Sequence, residues 1–72
     1  MKKIPTTLAE RLAWGAEVKA WRKRKGIGLR WAAGEFGLGE NAQNKLRLME
    51  KGWEAKASEY VKVWERMREE ER

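Results

Sequence analysis

The sequence predicts an all-α fold: a compact domain of four helices, or five if Gly15 splits the first. Three observations carry that reading. Apolar residues recur at three- and four-residue intervals in four separate segments, as helices with one buried face require. Start and stop residues bracket those segments, with Thr7 and Ser58 at starts and Gly26 and Gly52 at ends. A glycine-rich turn, Gly37-Leu38-Gly39, joins two short segments closely enough to make them a helix pair over residues 28–52. With 72 residues and a single Pro, no stretch reads as a linker. Residues 1–72 are therefore one domain, near the lower size limit for a single core.

Residues 1–6 read as a short basic arm. Thr7-Leu8-Ala9-Glu10 has capping-box spacing: the hydroxyl takes an orphan amide and the carboxylate reaches back to the cap. A helix then runs to about Lys25. Leu8 and Leu12 form one stripe, and Trp14, Val18 and Trp21 another. Gly15 between them costs about 1 kcal/mol relative to Ala, so a bend or break is expected there. Arg22-Lys23-Arg24-Lys25 puts cations at the favourable end of the macrodipole, and Gly26 ends the helix as a left-handed cap.

In the second helix Gly28 is the cap, and Leu29, Ala32, Ala33 and Phe36 share one face. Its paired alanines allow another helix to approach closely, with Leu38 as an apolar plug in the turn. The third helix starts near Glu40 or Asn41, Asn41 being the better cap. Leu46 and Met49 are its core residues, with Glu50 and Trp53 on the same face. Ser58 caps a fourth helix with Val61, Trp64 and Met67 inward and Tyr60 and Val63 beside them. Residues 68–72 place carboxylates at the unfavourable end of the dipole, so fraying is expected. Trp21 and Trp64 are assigned to the core; Trp31, off the apolar face, is either a core-edge residue or a partner contact.

The net charge of +6 is unevenly placed. Residues 1–30 hold nine Lys/Arg against two Glu, whereas residues 31–72 hold eight against nine. A basic half fused to a near-neutral half suits a polyanionic partner, although a solvated helix surface explains the charge equally well. With neither Cys nor His, thiolate and imidazole chemistry is excluded, together with zinc fingers. No glycine-rich phosphate loop or inward carboxylate pair offsets those losses, so neither an enzyme nor a metal or cofactor is expected. No segment has the length of a membrane span, and Lys2-Lys3 precedes no apolar signal run. A cytoplasmic, nucleoid-associated protein is the expectation.

Taken together, Trp21-Arg22-Lys23-Arg24-Lys25-Gly26-Ile27, the set Ala33, Phe36, Gly37 and Leu38, and the closing Leu46, Glu50 and Gly52 resemble the lambda-repressor/Cro-like helix-turn-helix family of phages and bacteria. Ser58 to Met67 resembles the helix that follows in that family, so the likeness covers residues 18–67. Three departures stand out. Leu29 occupies the place of a phosphate-holding Gln, Gly28 replaces a Ser or Thr cap, and the interval from Gly39 to Glu50 is longer than usual. The resemblance implies an ion pair between Arg22 and Glu50, across helices one and three.

The outward face of helix three carries Asn44, Arg47, Leu48 and Lys51, with Gln43 on its shoulder. Asn and Gln can bridge adenine, Arg can fork onto guanine and an apolar tip can meet a thymine methyl. By resemblance, Gln43, Asn44, Arg47 and Leu48 are the base-contacting candidates, and a solvated polar face is the plainer reading. Arg22, Lys23, Arg24, Lys25, Arg30, Lys45 and Lys51 are the candidate phosphate contacts, with Lys2 and Lys3 as an arm; a charge cluster at a helix end is the plainer reading.

The resemblance implies a sequence-specific regulator of double-stranded DNA, of phage or prophage type, with a recognition helix over about residues 41–51 in the major groove. It would act as a homodimeric repressor or activator without a small-molecule ligand, and Val63 and Trp64 on the fourth helix are the candidate dimer surface. The alternative is a small helical protein-binding module, an antitoxin or a phage-encoded inhibitor.

Overall fold

The computed structural model describes residues 4–71. They form four helices: α1 (Leu8–Lys25), α2 (Leu29–Phe36), α3 (Ala42–Glu50) and α4 (Ala57–Glu70). Lys2 and Lys3 lie outside the described residues.

Helix α1 starts on the expected capping box. The Glu10 amide donates to Thr7 Oγ1 at 3.1 Å, and the Thr7 amide donates to Glu10 Oε1 at 3.0 Å. Hydrogen bonds from the Thr7 and Thr6 amides hold the Glu10 carboxyl down, from an ordinary 4.5 to about 2. Gly26 ends the helix in the left-handed region, with the Ile27 amide reaching back to the Arg22 carbonyl at 2.9 Å.

Gly15 does not break α1, so the five-helix alternative is corrected: a single helix runs through it. A Cβ there would lie 2.7 Å from the Glu50 carbonyl carbon. The absence of a side chain lets α3 end directly against α1, and the propensity cost is offset by that close approach.

The core draws on every element. Trp14, Val18 and Trp21 of α1 meet Ala32, Ala33 and Phe36 of α2, Leu38 of the turn, Leu46 and Met49 of α3, and Tyr60, Val63 and Met67 of α4. Trp14 stands edge-on to Tyr60 with centroids 4.8 Å apart, and Trp21 lies tilted on Phe36 at 5.7 Å. The indole N–H groups of Trp14, Trp21 and Trp64 are buried without an acceptor, a cost of about 1–3 kcal/mol each that this packing offsets.

Helix α4 departs from expectation in three ways. Its cap position is Lys56, not Ser58; the Lys56 amide donates to Glu59 Oε1 at 3.1 Å, and Ser58 sits inside the first turn. Its inward stripe is Tyr60, Val63 and Met67, while Val61 and Trp64 are only half-buried on the flank. The stripe is rotated because the Tyr60 hydroxyl is needed at the preceding loop. There it accepts the Ala55 amide at 3.2 Å and donates to the Trp53 carbonyl at 3.5 Å. Buried Val63 is therefore no dimer surface. The helix runs on to Glu70, through most of the segment where carboxylates meet the unfavourable end of the dipole. Arg66 pairs with Glu69 and Glu70 in the last turns, and Arg24 reaches Glu71 at 2.9 Å from α1.

Helix α3 begins where expected but for another reason. Asn41 is left-handed, with φ of 58°, and its side chain caps nothing. Asparagine tolerates that region better than other side chains, so it serves here by its backbone. Gly52 closes α3 with φ of 93° and Leu12 packed over it; a Cβ would meet Leu12 Cδ2 at 2.7 Å. Trp53 follows outside the helix and is 62 % exposed, away from the core face it was assigned by spacing.

Candidate nucleic-acid interface

Two contacts on one residue fix how α3 sits. The Glu50 backbone lies on Gly15, and its carboxylate takes both prongs of Arg22: Nε to Oε2 at 2.7 Å and Nη2 to Oε1 at 2.9 Å. The two side chains are 13 % and 7 % exposed. The hydrogen bond to Glu50 raises the Arg22 pKa further above its ordinary value. Arg22 Nη1 also donates to the Ile27 carbonyl at 3.2 Å, which ties the α1–α2 connection into the same joint. The last turn of α3 is thus locked to α1 just before α2 begins.

With the Leu46–Met49 side buried, α3 turns Gln43, Asn44, Arg47 and Lys51 to solvent. Leu48 is half-buried, and its carbonyl takes amides from Lys51 and Trp53 at the helix end. Asn44 and Arg47 are not independent, since Arg47 Nη2 donates to Asn44 Oδ1 at 2.6 Å.

The candidate phosphate contacts divide. Lys23, Arg30 and Lys51 are exposed. Arg24 is exposed but paired with Glu71, and Lys25 reaches the Glu70 carbonyl at 3.4 Å. Arg22 is withdrawn from this set because the Glu50 carboxylate and a carbonyl occupy its guanidinium. Lys45 is exposed but also engaged: its ammonium bonds the Leu38 carbonyl at 3.3 Å and Glu59 at 3.1 Å. Burial works to raise the Glu59 carboxyl, but the Lys56 amide and the Lys45 ammonium outweigh it and leave it below the usual range. Lys45 thus ties α3 to α4. Arg30 follows an α2 N-terminus whose cap, Gly28, offers no side chain to the first-turn amides.

Spacing alone did not reveal Gly15 and Arg11 as fixing residues. Arg11 Nε donates to the Gly52 carbonyl at 2.8 Å and holds the end of α3 from the other side. Neither leaves a local signal, because each acts on a residue far along the chain. Trp31 is 54 % exposed, in an open hollow with Gly28, Arg30, Gly34 and Glu35. Among the described residues no group of three or more His, Cys, Asp or Glu could hold a metal ion, and no helix is long and apolar enough to cross a membrane.

Fold and site together define a small all-α domain whose third helix is clamped at its C-terminal end and bare along a polar outer face. No family model, curated protein or solved structure matches the chain.

Proposed function

We propose that this chain is a lambda-repressor/Cro-like regulator that binds double-stranded DNA by laying α3 in the major groove. The supporting observation is the clamped α3, with Gln43, Asn44, Arg47 and Lys51 on its exposed face. A rigid helix bearing polar and basic tips meets the steric and chemical demands of base readout. Lys23, Arg30 and Lys51 are the phosphate contacts in this reading, with Lys2 and Lys3 as an added arm. The basic first half of the sequence would speed encounter with a polyanion.

Two copies on a palindromic site complete the reading. Such a site requires the two α3 helices to lie about 34 Å apart, one turn of duplex. Sedimentation with and without duplex tests that stoichiometry.

A second reading, a protein-binding module such as an antitoxin or inhibitor, rests on the exposed Leu8, Leu12, Trp31 and Trp53. A gel shift on random duplex at low and high salt separates the two. Retardation that weakens with salt supports the DNA reading, and no retardation at low salt favours the protein partner.

A further inference from the structure

The hydrogen bond inside the proposed reading face narrows what that face can read. Asn44 and Arg47 lie one turn apart on α3, both exposed, joined by the 2.6 Å bond from Arg47 Nη2 to Asn44 Oδ1. An asparagine amide offers one acceptor oxygen and two N–H donors; a guanidinium offers donors alone. Adenine shows the major groove a donor, N6–H₂, beside an acceptor, N7, and an asparagine matches it only by turning its oxygen to N6. Here that oxygen already holds a cation. Its second lone pair remains, but the guanidinium N–H groups repel the N6–H₂ dipole that would approach it.

What the pair presents outward is a run of donors: the remaining guanidinium N–H groups and the Asn44 NH₂. Guanine offers the complement, two adjacent acceptors at O6 and N7. From this juxtaposition we propose that the Asn44–Arg47 pair reads guanine. Arg47 makes the base contact, and Asn44 is a positioning residue that holds the guanidinium in one rotamer before DNA arrives. Ordering a long side chain in advance removes part of the entropy that its immobilisation would otherwise cost on binding. The expectation that Asn44 bridges adenine is replaced by this one, which rests on the DNA reading.

The test starts with selection of duplexes from a random library by the full chain, followed by fluorescence anisotropy on the selected duplex. A guanine is enriched at one position of each half-site. Replacing it with 7-deazaguanine, which lacks N7, weakens binding between about five- and a hundred-fold. Arg47→Ala removes the guanine preference. Asn44→Ala broadens it, and Asn44→Asp, which keeps an oxygen for Arg47, restores it even though overall affinity falls. Unchanged helical circular dichroism in each variant confines these effects to the surface. An adenine enriched in its place and lost in Asn44→Ala, with Arg47→Ala unchanged, overturns the inference and leaves DNA binding standing. Failure of the wild-type chain to retain any duplex at low salt overturns both.

Discussion

Arg22 and Glu50 form a two-pronged ion pair across α1 and α3, with contacts of 2.7 and 2.9 Å between side chains almost withdrawn from water. Planar fork against planar carboxylate satisfies both oxygens, which is what makes burial of the two charges tolerable. The same Glu50 rests its backbone on Gly15. One residue therefore fixes both the distance of α3 from α1 and its orientation.

Removing one partner leaves the other charge largely shielded from water and unmatched. Arg22→Ala should lower stability by about 3 kcal/mol, and Glu50→Ala by a similar amount. The double variant Arg22→Met/Glu50→Leu should regain much of that loss, since no charge is left stranded. Urea denaturation of the three variants checks this; a double variant as damaged as the sum of the singles would contradict it.

Gly15→Ala sets two effects against each other. Helix propensity favours Ala by about 1 kcal/mol. The added Cβ, however, falls inside the Glu50 backbone, which cannot move aside as a flexible side chain would. Overpacking of this kind costs about 1–3 kcal/mol, so the variant should be less stable despite a better helix sequence. A raised thermal midpoint would show that α3 does not rest on α1 there.

The Thr7–Glu10 box makes α1 acid-sensitive. Folding depresses the Glu10 carboxyl, so its contribution is present above the ordinary value of 4.5 and is lost as pH falls towards about 2. In thermal melts Glu10→Gln should lag the wild type at neutral pH, and the gap should close over that window. A gap independent of pH would mean that the charge plays no part. Thr7→Ala should cost about 1 kcal/mol by loss of the hydroxyl cap.

Arg30 and Lys45 look alike in sequence but not in place. Both are exposed, but Lys45, unlike Arg30 on the first turn of α2, is bonded to Glu59 and the Leu38 carbonyl. Arg30→Ala should weaken duplex binding uniformly and reduce the slope of log affinity against log salt by about one. Lys45→Ala should leave that slope alone and cost stability by less than about 1 kcal/mol. Equal slopes for the two variants would contradict the division.

Local chemistry was legible in the sequence and long-range fit was not. Thr7 with Glu10, and Gly26 at a helix end, act through neighbours a few residues away; Gly52 and Leu38, though they also meet distant residues, sit where their spacing predicts. The Arg22–Glu50 pair spans 28 residues and was reached by resemblance, since no spacing rule couples such distant positions. Propensity at Gly15 describes an isolated helix and carries no sign of the α3 end that it accommodates, 35 residues away. The α4 stripe was turned because Val61, Trp64 and Met67 fit helical spacing as well as Tyr60, Val63 and Met67 do. The Tyr60 hydroxyl, bound at the Trp53–Ala55 loop, decides between them. In the candidate site, exposure of Gln43, Asn44 and Arg47 followed from periodicity. The internal bond that ties Asn44 to Arg47 depends on rotamers and did not.

The central claim, that clamped α3 lies in the major groove of DNA, is tested most directly by anisotropy of the full chain with labelled random duplex at about 50 and 200 mM salt. Binding is expected at the lower salt and should fall at least tenfold at the higher, with further weakening by Arg47→Ala on selected duplex. A folded chain that leaves duplex anisotropy unchanged at the lower salt would contradict it.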